Sequence, residues 1–162
     1  LFNRRHFNDI APSIIENTVR KNDIFAFVLL DVDNFKKYND TYGHQEGDNV
    51  LVNISKVLKD NFKRSNDLVF RLGGEEFGVL ISAKTKEDVL ILTQEARKNI
   101  EALGIEHIQN PPYNVLTASF GIMLIEDETQ NIQLDSIYKR ADDALYVAKE
   151  NGRNRVEFFK KI

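Results

Sequence analysis

Two acids, Asp31 and Asp33, stand at the exit of an almost unbroken apolar run from Ile24 to Leu30, and two more, Glu75 and Glu76, follow directly on Gly73-Gly74. If a strand delivers the first pair and a hairpin turn the second, the carboxylates crowd one edge of a sheet. Like charges that close repel, more so away from water, and a cation relieves them. Oxygen donors without Cys or His suit Mg2+ or Mn2+, which keep several waters and share the rest of their shell with phosphates. The chemistry implied is metal-assisted reaction at a nucleotide phosphate. Taken singly, each acid reads first as a solvated residue at a strand end or turn, the commonest fate of such acids, so only the combination points to a site.

Other groups carry compatible chemistry. Lys36, with the backbone amides of Asn34 and Phe35, opens a short helix, where unpaired N–H groups and the positive dipole end favour phosphate. Asn39 and Asp48 flank the break at Tyr42-Gly43, which can fold two helices so that both side chains face one pocket. There an Asp can accept from paired N–H donors of a ligand while an Asn amide pairs with a neighbouring acceptor. Asp48 fits equally as a residue that complements a helix dipole. Lys149 and Arg153 lie four apart at the end of the last helix, where cations are also ordinary dipole partners. His6, His44 and His107 lack metal-ligand spacing, and neither a Ser-His-Asp arrangement nor a Walker-type glycine loop is found.

Periodicity gives the elements that must hold these groups. Phe7, Ile10, Ile14, Ile15 and Val19 predict a helix over about 3–21, followed by a strand over 24–30 covered on both faces. A short helix through Phe35 and Tyr38 precedes a long amphipathic one marked by Val50, Leu51, Ile54, Val57, Leu58 and Phe62. Strand-like stretches 67–72 and 77–82 flank Gly73-Gly74, whose freedom at positive φ suits a hairpin turn. A helix over 87–103, a strand over 115–125, a helix over 134–150 and a strand over 156–159 complete the chain. One true hairpin among alternating strands and helices predicts an α+β fold, a ferredoxin-like or palm-type central sheet with surrounding helices.

Bulk properties narrow the classes. The chain has 162 residues, 42% hydrophobic and 29% charged, which suits one compact domain. A net charge of −3 argues against nucleic acid held through the overall field. Without cysteine there is no disulfide framework or thiolate site, and a reducing, cytoplasmic setting is expected. No apolar stretch approaches the roughly 20 residues of a membrane span, so no membrane contact is expected of this segment. Anchoring of a longer protein through an upstream region stays open.

Gly73-Gly74-Glu75-Glu76-Phe77, preceded by Arg71, resembles the signature of the GGDEF domain family in its Gly-Gly-Glu-Glu-Phe form. The resemblance extends through Leu1–Arg5, Asp31–Lys37, Asn39–His44, Gly47-Asp48, Ala118–Ile122, Ala141–Tyr146 and Ala148–Asn154, in order along the whole chain. It implies a diguanylate cyclase that condenses two GTP into cyclic di-GMP and releases two pyrophosphates. By the same resemblance Asp31, Glu75 and the carbonyl of Val32 ligate Mg2+ or Mn2+, with Glu76 as a further ligand or beside them. Asn39 and Asp48 then hold guanine, and Lys149 and Arg153 meet the distal phosphates, with Asn34, Phe35, Lys36, Gly73 and Gly74 also lining the substrate. Arg64 and Asp67 resemble the family's Arg-x-x-Asp inhibitory site for the product, although a basic helix end before a polar loop would look the same.

The implied unit is a single catalytic domain over residues 1–162, truncated at its N-terminal edge where the family carries an Asp-x-Leu-Thr-Gly type stretch, and separated from an upstream sensory region. One site cannot easily close a symmetric ring from two identical substrates, so a transient two-fold homodimer is expected. Two rival readings remain: a non-catalytic receptor for cyclic di-GMP, and a cyclase of altered base choice, against which Asp48 speaks.

Overall fold

The computed structural model describes residues 1–126 and 133–160, and the backbone alone at residues 19 and 20. A two-residue strand β1 (Phe2–Asn3) leads into α1 (Arg4–Arg20), whose start Asn3 caps by accepting the His6 N–H at 2.9 Å. Phe7 and Ala11 of α1 are buried, with Ile10, Ile14 and Ile15 packed beside them, while Val19 of the expected stripe lies outside the described side chains. The strand β2 (Ile24–Val32) follows, with Phe25 through Leu30 all fully buried, as its apolar run predicts for a strand covered on both faces.

Next come α2 (Phe35–Tyr42) and α3 (His44–Asn61), the hairpin β3 (Leu68–Gly73) and β4 (Glu76–Ala83), then α4 (Lys86–Glu101), β5 (Ala118–Ile125), α5 (Leu134–Glu150) and β6 (Val156–Phe158). The six strands form one mixed sheet in the order β1-β3-β4-β2-β5-β6. β2 is central and antiparallel to both β4 and β5, whereas the β1–β3 and β5–β6 pairs are parallel. Alternation along β2 divides the core. Phe25, Phe27 and Leu29 pack with α1 and α5, while Ala26, Val28, Leu30 and Val32 pack with α2, α3 and α4.

The element order matches the sequence expectation, and three differences have local causes. β1 is too short to show periodicity. β5 begins at Ala118, not Val115, because the preceding residues serve other partners: Val115 bridges Glu106, and Thr117 turns both its carbonyl and its hydroxyl to Asp33. β3 begins at Leu68 because the Asp67 carboxylate is drawn back to Arg64.

Candidate active site at the end of the central strand

The exit of β2 and the start of β4 are locked in register, with Asp31 opposite Glu76 across an antiparallel pair. Opposed residues of a ladder point to the same face, so the two carboxylates share one side of the sheet end, the side covered by α1 and α5. Between β3 and β4 the register shifts at Arg71 and Gly73, and the turn has φ of 149° at Gly73 and 50° at Gly74. The first angle suits glycine alone among ordinary residues, and glycine adopts the second without strain. Arg71 clamps the turn from outside, its Nε and Nη2 donating to the Gly74 carbonyl at 3.2 and 3.0 Å. Glu75 and Glu76 are thereby presented half-buried at the tip.

Asp31 is 16% exposed, and its Oδ2 accepts from Lys149 Nζ at 2.5 Å. Its other oxygen, Oδ1, is buried without a partner. Burial raises the Asp31 carboxyl above the usual range; Lys149 works against that, while Glu75 and Asp33 add to it. Glu76 is likewise raised, first by burial and then by the charges of Asp31 and Asp142, with Arg4 and Lys149 opposing. Two acids that are hard to ionise beside an orphaned carboxylate oxygen make a place that gains from a divalent cation, and the oxygen-only donors suit a hard one. Among the described residues no three acid or histidine side chains already stand as a finished metal cage.

Asp33 departs from the expected crowd of acids. It is buried and turned inward, accepting from Thr117 Oγ1 at 2.7 Å, Ser119 Oγ at 2.6 Å and the Asn154 amide at 3.1 Å. It ties the exit of β2 to the turn after α5. Around it, Asn34 is left-handed at φ 53° and donates its side-chain amide to Asn110, so the backbone there, not the side chain, faces the start of α2. Phe35 is buried in the core and Lys36 is exposed.

On the opposite face of the sheet, Gly43 (φ 93°) ends α2 and caps α3. Gly47 is buried against Asn39, leaving the Asn39 Oδ1 buried and without a partner, and Asp48 follows it exposed. At the far end, Lys149 closes α5, and Arg153 has φ 63° in the turn beyond. Arg64 and Asp67 are brought together directly. Arg64 donates through Nε and Nη2 to the Asp67 carboxylate and through its backbone N–H as well, with a further bond from Nη2 to the Ser82 carbonyl at 3.0 Å. Asp67, 1% exposed, therefore orients Arg64 from beneath.

Some contributors left no mark in the sequence. The Tyr138 hydroxyl donates to Glu76, and the Arg4 guanidinium lies 4.7 Å from the centre of the Tyr138 ring. Neither residue has a spacing signal, since Tyr138 reads as one more residue of α5 and Arg4 as the start of α1.

A family model described as "Diguanylate cyclase, GGDEF domain" matches residues 1–155. The diguanylate cyclase DgcM of Escherichia coli (strain K12) is 38% identical over 157 residues, which cover 96% of this chain and 36% of that protein. The chain spans about a third of the length of the first curated relatives it matches. The GGDEF domain of DgcB from Caulobacter crescentus, solved in complex with c-di-GMP, superposes with a TM-score of 0.84 at 28% identity, covering 98% of this chain and 91% of that one. The active GGEEF domain of a diguanylate cyclase from Vibrio cholerae gives 0.82 at 28%, covering 100% and 99%. Among the described residues no helix is long and apolar enough to cross a membrane. A match of the family model along nearly all of the chain, with the signature turn set at the end of the central strand, means that the chain belongs to the family of diguanylate cyclase GGDEF domains.

Proposed function

We propose that this chain condenses two molecules of GTP into cyclic di-GMP with release of two pyrophosphates. The observation that carries the reading is the pairing of Asp31 with Glu76 at the strand end, with Asp31 Oδ1 buried and unpartnered. Asp31, Glu75, Glu76 and the Val32 carbonyl are the groups that would hold Mg2+ or Mn2+. Bound divalent cations acidify a 3′-hydroxyl and neutralise the departing pyrophosphate.

This chain's residues do the rest. Asn39 and Asp48 select guanine, the acid accepting from N1 and N2 and the Asn39 amide pairing with the acceptor edge. The amides of Asn34 and Phe35, the α2 start with Lys36, and the exposed backbone of Gly73 and Gly74 receive the phosphates. Lys149 and Arg153 orient the leaving group. In each half-reaction a 3′-oxygen loses its proton and bonds to the α-phosphorus of the other nucleotide as the bond to its β-phosphate oxygen breaks. Two such steps in a two-fold homodimer close the ring. Product bound by Arg64 beside Asp67 acts as a brake.

Incubation of purified protein with GTP and Mg2+ or Mn2+ tests the reading, with the rate followed against protein concentration. Cyclic di-GMP should form at a rate rising more steeply than first order in protein, and Asp31→Ala should abolish it. A parent protein that makes no cyclic dinucleotide under these conditions but binds cyclic di-GMP would be a receptor instead.

A further inference from the structure

The segment 105–117 between α4 and β5 holds no residue assigned above to metal or substrate, yet it reaches both loops given a phosphate role. His107 is fully buried and sets its Nε2 3.2 Å from the Asp33 carbonyl and 3.1 Å from that of Asn34. Carbonyls only accept, so this nitrogen carries the proton, while Nδ1 has no partner. Asn110, equally buried, accepts from the Asn34 side chain at 3.0 Å and donates to the Val115 carbonyl and Thr117 Oγ1, each at 2.8 Å. Thr117 passes the connection to Asp33. Six residues after His107, the Tyr113 hydroxyl lies 3.2 Å from the Gly152 carbonyl and 3.3 Å from that of Arg153.

Both loops gripped in this way have backbone that does not hold itself. Asn34 has φ 53°, and Gly152, Arg153 and Asn154 follow one another at 118°, 63° and 48°. The left-handed region is strained for a residue other than glycine, less for Asn than for Arg. Such conformations persist where the surroundings over-determine them. The Arg153 amide donates to the Ala148 carbonyl at 3.0 Å and the Asn154 amide to Asp33 at 3.1 Å. The carbonyl side of the same turn depends on Tyr113 and, at 3.3 Å, on Arg155 Nε.

We propose that residues 105–117 form a brace that fixes the loop 33–36 and the turn 152–154 relative to each other, with His107 and Tyr113 as positioning residues that touch no substrate. Its bearing on GTP rests on the proposed function, which gives these two loops the phosphates.

Tyr113→Phe is the test, because it keeps a half-buried ring and removes only the hydroxyl. The KM for GTP should rise about three- to tenfold, the scale of one hydrogen bond, with kcat within about twofold and the melting temperature within about 2 °C. Amide exchange at Asn154 should accelerate by a similar factor. Beside it, His107→Gln keeps an N–H donor and should restore most of the KM that His107→Leu loses. Unchanged exchange at Asn154 in Tyr113→Phe, or equal KM values in the Gln and Leu variants, overturns the brace. If the parent protein does not turn over GTP, the functional reading fails on its own, and exchange at Asn154 and Phe35 in the three variants still decides the brace.

Discussion

Replacing Gly47 by Ala separates folding from guanine recognition. A Cβ built on Gly47 would lie 1.8 Å from Asn39 Oδ1, 2.9 Å from its Cγ and 3.3 Å from Cζ of Phe35. The Phe35 ring is buried in the core and can shift only slightly. The Asn39 carboxamide is the far end of a flexible side chain and must swing away. Stability should hardly suffer, because Gly47 lies inside α3, where Ala is favoured over Gly by about 1 kcal/mol, an amount that offsets the cost of moving one amide. Binding should suffer more. Losing one hydrogen bond to guanine costs about 0.5–1.5 kcal/mol, and leaving the base partner unpaired brings the total toward about 1–3 kcal/mol. The KM for GTP should therefore rise roughly tenfold, while the melting temperature stays within about 3 °C of the parent. Initial rates of cyclic di-GMP formation against GTP, beside a thermal melt, provide the measurement. Asn39→Ala should raise KM similarly, and the double variant should add little, since both changes remove the same contact. A folded Gly47→Ala protein with unchanged KM, or two effects that simply add, would refute the role given to Asn39.

The raised carboxyl pKa values of Asp31 and Glu76 carry a pH signature. A folded-state pKa above the unfolded one means that the folded chain keeps protons the unfolded chain has released. Its share of stability is complete below the unfolded pKa and lost as pH rises through the folded one. In chelator at about pH 8, Glu76→Gln should therefore melt above the parent, with the advantage vanishing toward about pH 4 and reversing when divalent cation is added; an equal offset at every pH counts against the charge argument. Tyr138→Phe removes the hydroxyl that orients Glu76 and should raise the Mn2+ requirement roughly tenfold, as losses around a metal ligand commonly do. Mn2+ binding without nucleotide should weaken in parallel, and an unaltered Mn2+ titration would exclude that role for Tyr138. Arg64→Ala should relieve inhibition by added cyclic di-GMP. It also strips the nearly buried Asp67 of its charged partner, lowering stability by about 1.5–3 kcal/mol; undiminished inhibition would remove Arg64 from the product site.

The sequence exposed most of the frame, because the frame is written in periodicity. The unbroken apolar run of β2, the 3.6-residue stripe of α3 and the double glycine of the hairpin each express one local rule, and each element formed where that rule put it. What stayed hidden depends on long-range partners. Asp33 stands two residues beyond Asp31, across Val32, and only the arrival of Thr117, Ser119 and Asn154 turns it into a buried hub instead of a second acid at the strand edge. Tyr113 and His107 sit in a stretch that reads as loop, where no spacing rule distinguishes a residue that grips a distant carbonyl from one that faces water. Arg64 and Asp67 were legible by their offset before the turn, but the ion pair between them, with the acid underneath, depends on side-chain burial that no pattern encodes.

The division of β2 into two faces bears on how a nucleotide would lie. Asp31 shares its face with Phe25, Phe27 and Leu29, the side of α1 and α5, and Lys149 reaches it from α5. Asn39 and Asp48 belong to α2 and α3, whose buried residues pack on the other face. Under the proposed function a bound GTP therefore folds over the C-terminal end of β2, with guanine on one side and phosphates on the other. It crosses where Asn34 opens α2 and Asp33 holds the turn bearing Arg153. The ion pair at 2.5 Å between Lys149 and Asp31 lies on the phosphate side of this path: the lysine engages Oδ2, and Oδ1, buried and unpartnered, is the oxygen that would help hold a divalent cation.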